Sequence, residues 1–191
     1  YEKYIGETEK NLQQALHTAD LMSRCVLWVD ELEKSISSGS DDNGTSRRLL
    51  GSLLTWMAEK TSRVFIVATA NQIEALPPEL IRKGRLDEIF FVDLPKHPNR
   101  ADIFKIHFEK REIEHNDIDL EKLAEASEGF SGSEIEQAIA SAVYTSYSQE
   151  KRISTEIMLD ELSYTSPLSI VMAEKVERLR QWAQSRTVPV D

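Results

Sequence analysis

Acidic and amide side chains follow two apolar segments of the sequence, at the point where each segment ends. Residues 25–29 (CVLWV) lead directly into Asp30 and Glu31. Residues 64–68 (VFIVA) are followed shortly by Asn71. Short apolar runs bounded by polar residues predict buried strands of a parallel sheet, and open α/β folds bind their ligands at the carboxyl edge of such a sheet. The sequence therefore predicts a ligand site at these strand ends.

These residue types suit the transfer of a phosphoryl group to water. Asp30 would hold Mg²⁺ through water, Glu31 would act as the general base on the attacking water, and Asn71 would orient that water. Taken alone, an acidic pair after a strand is also typical of a helix start, and Asn71 alone of a turn. The ordered set, followed by the run 81–87 (IRKGRLD), favours the functional interpretation.

In this order the motifs resemble those of the AAA family of ring ATPases. The matching pieces are a Walker B strand ending in Asp30-Glu31, a sensor 1 Asn71 and the second region of homology through Arg85. The resemblance covers nearly the whole chain. It implies ATP and Mg²⁺ as ligands, hydrolysis of ATP to ADP and phosphate, a homo-oligomeric ring that is a hexamer in the intact protein, and a protein client.

Two arginines lie in the run that follows the second strand. Arg82 and Arg85 are also what a helix end commonly carries, because its dipole favours cations. In the family that the chain resembles, arginines at these places complete the active site of the neighbouring subunit. An arginine finger of this kind is worth about a thousandfold or more in rate. The resemblance implies that role for both and leaves open which of them dominates.

A histidine in the second half of the chain has two interpretations. His107 follows Ile103 and Ile106 at helical spacing, and a lone histidine on an apolar helix face is typical of a core residue. The resemblance implies instead that His107 contacts the ribose or the base of the nucleotide.

A small-residue pair opens another predicted helix. Gly132 and Ser133 lie inside a capping box formed by Ser131 and Glu134, so they are first of all a helix start. In the family, the equivalent pair lets the backbone approach the adenosine. The chain has no arginine of the sensor 2 kind, which favours the protein-remodelling clade over clamp loaders and most DNA-replication members.

The phosphate-binding loop of such ATPases is absent from this sequence. A P-loop needs a glycine-lysine pair, because glycine amides cradle the phosphates and the lysine reaches the terminal one. None of the 7 glycines is followed by lysine. We therefore predict a fragment cut inside an AAA module, inactive by itself. The alternative is a degenerate AAA-like interaction module without hydrolysis.

The first residues match a substrate-gripping element of the family. Tyr4, Ile5 and Gly6 correspond to its aromatic-hydrophobic-glycine pore loop, and an aromatic ring can hold any extended peptide by its apolar face. A frayed terminus is the other interpretation. Residues 35–46 (SISSGSDDNGTS) are too polar to pack and predict a mobile surface loop, which is either a second pore loop or merely a loop.

Composition restricts the class of protein. The chain has 191 residues, 40% of them hydrophobic, which is enough for a core. A net charge of -10 argues against a broad nucleic-acid footprint and so against the remaining alternative, a nucleic-acid-directed AAA machine. The single cysteine, Cys25, excludes a disulfide within the chain and indicates a reducing compartment of the cytoplasmic type. The resemblance implies the plastid stroma instead if the protein is plastid-encoded. No apolar run is long enough for a membrane span.

The predicted fold class is α/β: part of a P-loop-type parallel sheet with helices on both faces, followed by an all-helical lid. Predicted helices and strands alternate up to a strand at 88–92, and prolines 95 and 98 then break the pattern. The predicted domains are residues 1–94 for the α/β part, 95–165 for the lid, and 166–191 for a terminal helix and tail. Details at residues 70–72, at Trp28 and in the terminal helix resemble the AAA branch encoded in cyanobacteria and plastid genomes.

Overall fold

The computed structural model describes residues 2–37, 43–82 and 84–190, without the side chains of residues 2–8, 35–37, 43–47 and 189. The chain divides into two compact units, the first ending at Ile89 and the second beginning at Phe90. Among the described residues, no helix combines the length and the apolar character needed to cross a membrane.

The first unit alternates helices and strands around a two-stranded sheet. Its elements are α1 (Glu2–Met22), β1 (Cys25–Val29), α2 (Leu32–Ser37), α3 (Asn43–Glu59), β2 (Val64–Ala68) and a short 3₁₀ helix (Ile73–Ala75). The strands pair in parallel, in a register that runs from Cys25 opposite Val64 to Val29 opposite Ala68. The strands predicted at 25–29 and 64–68 are therefore present as direct neighbours, and they end at the same edge of the sheet.

Apolar residues at helical spacing bury one side of this unit. On α3 the buried residues recur every four positions, which places them on one face of the helix. They pack with alternate residues of the strands, such as Leu27 and Ile66. The buried members of this core are Leu16, Leu32, Leu53, Met57, Leu76 and Leu80.

The other face of the sheet is exposed in the described residues. Because side chains alternate along a strand, Val26, Trp28 and Phe65 lie on that face. They are 62%, 62% and 69% exposed. The predicted α/β class is confirmed, but the described helices cover one face of the sheet and not both.

The segment predicted as a loop at residues 35–46 is helical at both ends. The helix α2 continues to Ser37, and α3 begins at Asn43. The residues between them lie outside the part that the structure describes. No proline interrupts the segment, so a helix anchored by buried leucines can extend through polar residues that would not form one alone.

The second unit is almost entirely helical, as predicted. Its elements are β3 (Phe90–Phe91), α4 (His97–Lys110), α5 (Leu120–Ala126), α6 (Gly132–Ser148), α7 (Thr155–Ser163), α8 (Leu168–Val171), α9 (Ala173–Ala183) and β4 (Val188–Pro189). The fully buried side chains at its centre include Phe104, Phe108, Leu123, Ile135, Ile139 and Met158. This core fixes the positions of α4 and α6, which carry the predicted nucleotide contacts.

The end of the chain pairs with the beginning of the second unit. The two residues of β3 pair in parallel with those of β4, Phe90 opposite Val188. Nearby, Arg180 Nε donates to a carboxylate oxygen of Asp93 at 2.8 Å. These contacts join residues 180–189 to the start of the second unit, which runs from Phe90 to the end of the chain. The predicted domain bounds stay predictions.

Candidate functional site

The carboxyl ends of β1 and β2 bring two of the predicted catalytic residues together, Glu31 and Asn71. The Thr69 amide donates to the Val29 carbonyl at 3.0 Å, which extends the strand pairing by one step. Beyond this point Asn71 Nδ2 donates to Glu31 Oε1 at 3.2 Å. The carboxylate and the amide therefore share one site, as the motif order predicts, and their catalytic roles stay predictions.

Thr69 organises this site, and the sequence analysis missed it. Its hydroxyl donates to Asp30 Oδ1 at 2.5 Å and accepts from the Glu31 amide at 3.0 Å. Its carbonyl accepts from the Leu32 amide at 2.9 Å. The available signal was its position directly after the apolar run of β2. Thr69 therefore orients the Asp30 side chain directly and holds the backbone of Glu31.

The Thr69 hydroxyl gives a first testable prediction. In Thr69→Val the Glu31 amide loses its acceptor, so its hydrogen exchange should become about fivefold faster or more, which corresponds to about 1 kcal/mol for one hydrogen bond. Thr69→Ser keeps the hydroxyl and is the matched control. Amide-resolved exchange on both variants measures the effect, and the Leu32 amide serves as internal reference. Equal exchange at Glu31 in the two variants would contradict the assignment.

Glu31 adopts an uncommon backbone conformation. Its φ is +48°, in the left-handed region that non-glycine residues visit at a cost of about 1 kcal/mol. Its Oε2 lies 2.7 Å from Lys34 Nζ, and the hydrogen bond and charge of Glu31 raise the pKa of the Lys34 ammonium. Lys34 is 68% exposed, so this ion pair is weak. Strained backbone of this kind is concentrated at functional sites.

A buried carboxylate, that of Glu33, binds the backbone amide of Asn71. Glu33 is 3% exposed, and its Oε1 accepts from the Asn71 amide at 3.1 Å. Asn71 is thus held at its backbone by Glu33 and at its side chain by Glu31. Sequence reasoning did not single out Glu33. The available signal was its position as an acidic residue just after Asp30-Glu31, in the first turn of α2. We call Asp30, Glu31, Glu33, Thr69 and Asn71 the strand-end network.

The network is compatible with magnesium bound together with a phosphate ligand. Among the described residues no group of three or more candidate ligands is present. Mg²⁺ usually keeps several waters and takes only one or two protein carboxylates when phosphates supply the other oxygens. Asp30 is exposed and is oriented by Thr69, so it fits the single carboxylate that such an ion requires.

The two predicted arginine fingers lie in the turn that follows the 3₁₀ helix. Arg85 Nη1 donates to the Glu79 carbonyl at 2.7 Å, and the Arg85 amide donates to the Arg82 carbonyl at 3.2 Å. Between them Gly84 has a φ of +91°, which suits glycine. Arg82 is exposed. Within the part of the chain that the structure describes, neither guanidinium bonds to the strand-end network.

His107 lies in a polar cluster and not on a purely apolar face. Its Nδ1 is 3.2 Å from Arg111 Nη1 and 3.5 Å from Glu136 Oε1. Arg111 Nη2 donates to the same Glu136 oxygen at 3.0 Å. That hydrogen bond is the main reason that the pKa of the Glu136 carboxyl lies below its ordinary value. The sequence analysis missed Arg111, which directly follows the end of α4, and Glu136, which lies on α6.

The predicted capping box at the start of α6 is confirmed. The Ser131 hydroxyl accepts from the Glu134 amide at 3.4 Å, and Glu134 Oε2 accepts from the Ser131 amide at 2.7 Å. A Cβ added at Gly132 would lie 3.7 Å from Ile103 Cδ1, which is ordinary contact, and Ser133 is exposed. Packing within the unit does not require glycine, and the nucleotide contact of this pair stays a prediction.

The predicted pore-loop residues Tyr4 and Ile5 fall within the span of α1. Their side chains lie outside those that the structure describes, so this role also stays a prediction.

Two models of protein families match the chain. The model described as "ATPase family associated with various cellular activities (AAA)" matches residues 1–94. The model of the AAA+ lid domain matches residues 117–161. The first match contains the strand-end network and both arginines, and the second contains the start of α6.

Curated relatives agree with these matches. The uncharacterized AAA domain-containing protein ycf46 of Trieres chinensis is 42% identical over 184 residues, which are 95% of this chain and 37% of the relative. The proteasome-activating nucleotidase of Saccharolobus islandicus is 34% identical over 150 residues, 75% of this chain and 38% of the relative. The cell division cycle protein 48 homolog of Archaeoglobus fulgidus is 32% identical over 138 residues, which are 70% of this chain and 19% of the relative. The chain thus spans well under half the length of these relatives.

Proposed function

Because this chain belongs to the AAA family of ATPases, we propose that it is the part of a longer ATPase that activates water and carries the lid. The observation that supports this most directly is the hydrogen bond from Asn71 Nδ2 to Glu31 Oε1 at the ends of two parallel strands. A base and a water-orienting amide in contact at that edge are what hydrolysis of a phosphoanhydride needs.

In the proposed hydrolysis of ATP, each residue of the strand-end network has a distinct role. Glu31 accepts a proton from water while that water attacks the terminal phosphorus, and the bond to the ADP oxygen breaks. Glu33 holds the backbone amide of Asn71, and the Asn71 side chain directs the water toward the Glu31 carboxylate. Asp30, oriented by the Thr69 hydroxyl, would hold Mg²⁺, which neutralises charge on the phosphates when bound.

The ion pair between Lys34 and Glu31 does not prevent this role. The Glu31 side chain is 37% exposed and that of Lys34 68%. Exposed pairs of this kind are screened by water and contribute little to stability. A nucleotide with its water can therefore separate the two side chains at little cost, and Glu31 is then available as the base.

Arg82 and Arg85 concern the contact between subunits in the proposed assembly. We assign both to the active site of the neighbouring subunit, which makes a closed ring, a hexamer, the active unit. Ring assembly on protein substrates is general in the family, and one relative is named for activating a proteasome. For this chain we propose a protein client that is held by Tyr4 and Ile5, in the cytoplasm or the plastid stroma.

The competing function is an interaction module that has lost hydrolysis. It is favoured by one observation, the absence of a glycine-lysine pair from this sequence. The intact strand-end network weighs against it, because a module that only packs beside active subunits has no use for a base held against a water-orienting amide. The two functions differ in whether the longer protein hydrolyses ATP at all, and for the ATPase in whether Glu31 controls the rate.

The isolated 191-residue chain should not bind Mg-ATP with micromolar affinity. A metal-binding carboxylate and a base without a phosphate cradle contact too little of the ligand. Calorimetric titration of Mg-ATP into the chain measures this, with ADP as a second ligand. A micromolar dissociation constant would contradict the prediction and would require a phosphate site elsewhere in the chain.

A further inference from the structure

We propose that Arg111 and Glu136 position His107 for the nucleotide, by fixing its neutral imidazole as the tautomer that carries hydrogen on Nε2. This inference rests on the proposed function and on the expectation from the family resemblance that His107 contacts the ribose or the base of the nucleotide. It adds two positioning residues, and it states which ring atom of His107 donates.

The contacts to Nδ1 decide the tautomer. Arg111 Nη1 lies 3.2 Å from Nδ1 and Glu136 Oε1 lies 3.5 Å from it. A guanidinium has donors only and stays protonated, so its contact requires a lone pair on Nδ1. Glu136 Oε1 already accepts from Arg111 at the shorter distance of 3.0 Å. Nδ1 is therefore the acceptor, and the hydrogen of the neutral ring lies on Nε2.

The packing of α4 holds the ring in place. His107 is 17% exposed in its side chain, and Phe104 and Phe108 on the same helix are fully buried. Glu136 lies on α6, so the cluster also joins the two helices. Among the described residues, Nε2 of His107 has no hydrogen-bond partner. A fixed N–H donor of this kind suits an acceptor atom on a nucleoside, either a purine ring nitrogen or a ribose hydroxyl oxygen.

The tautomer can be measured directly on the 191-residue chain. A long-range proton-nitrogen correlation spectrum at about pH 8, where an ordinary imidazole is neutral, distinguishes the two forms. The His107 signals are assigned by their loss in His107→Gln. His115 is an internal reference, because its Nδ1 lies 3.1 Å from the Ile113 carbonyl and must donate to it. We expect the Nε2–H form at His107 and the Nδ1–H form at His115.

Two variants separate the partners of His107. Arg111→Met removes the donor and leaves Glu136 as an acceptor, so the Nδ1–H form of His107 should become the major one. Glu136→Gln keeps Arg111 and should retain the Nε2–H form, and His115 should not change in either. An Nδ1–H form in the unmodified chain, or an unchanged form in Arg111→Met, overturns the proposal.

A second measurement tests the link to the nucleotide. In the longer protein that contains a phosphate-binding loop, Arg111→Met should weaken the affinity for Mg-ATP by about threefold to tenfold, the effect of one misdirected hydrogen bond, with little change in kcat. A changed tautomer with unchanged affinity overturns the role toward the nucleotide. Failure of the proposed function would differ, since it would appear as an absence of turnover and would leave the spectra of the chain as expected.

Discussion

Glu31→Gln should reduce the ATPase rate of the longer protein by about a hundredfold or more, because the substitution removes the general base. Binding of ATP and assembly of the ring should persist, since glutamine keeps the size and polarity of the side chain. Steady-state phosphate release measures the rate, and nucleotide affinity and native mass are measured on the same sample. A rate within about threefold of the parent would exclude Glu31 as the base. No measurable ATPase rate in the parent itself would favour the interaction module.

The geometry explains why this substitution should separate binding from turnover. A glutamine oxygen can still accept from Asn71 Nδ2, which lies 3.2 Å from Glu31 Oε1, so the strand-end network keeps its shape. The lost contact is the ion pair with the exposed Lys34, which water screens strongly. The matched control is Glu74→Gln, which alters an exposed glutamate on the 3₁₀ helix and should leave the rate unchanged.

Arg85→Ala should leave ATP binding intact and lower hydrolysis by about a thousandfold, if Arg85 acts as the finger in the site of the neighbouring subunit. A cation there stabilises the charge that develops on the terminal phosphoryl group only when the ring closes. The companion variant Arg82→Ala, measured in parallel, determines which of the two arginines dominates. Arg63→Ala, at an exposed arginine of the same unit, is the control for loss of charge.

Mixing two inactive variants tests whether Arg85 acts across subunits. In a ring that contains both Arg85→Ala and Glu31→Gln subunits, a site with an intact Glu31 can meet an intact Arg85 from its neighbour. ATPase activity should then rise above that of either variant alone. Native mass measurement must show mixed rings. If mixed rings form and the rate stays at the level of the single variants, Arg85 is a structural cation, consistent with its hydrogen bond to the Glu79 carbonyl.

The strands, the main helices and the pairing of Glu31 with Asn71 could be predicted from the sequence. The strands and helices depend on signals within a few residues: an apolar run predicts a strand, and leucines at helical spacing predict α3. The capping box of Ser131 and Glu134 is local in the same sense, since both partners lie in the first turn of α6. The contact between Glu31 and Asn71 follows because neighbouring parallel strands end at one edge.

The supporting residues of the sites could not be predicted in this way. Thr69 bonds to Asp30 from 39 positions away along the chain, and Glu136 reaches Arg111 across 25. Threonine after a strand and glutamate on a helix are common, so neither residue type indicates its partner. Only the register of β1 against β2, and the packing of α4 against α6, decides which of them meet.

The sequence by itself determined the family, the two strands and the order of the catalytic residues, because hydrophobic periodicity and motif order are properties of the chain. The tertiary structure alone decided that Thr69 and Glu33 hold the site, that Arg111 and Glu136 hold His107, and that β4 pairs with β3. The physical reason is that hydrogen bonds have a range of about 3 Å and strict geometry. Whether distant residues form them depends on how the elements pack, and a linear pattern of residue types does not contain that information.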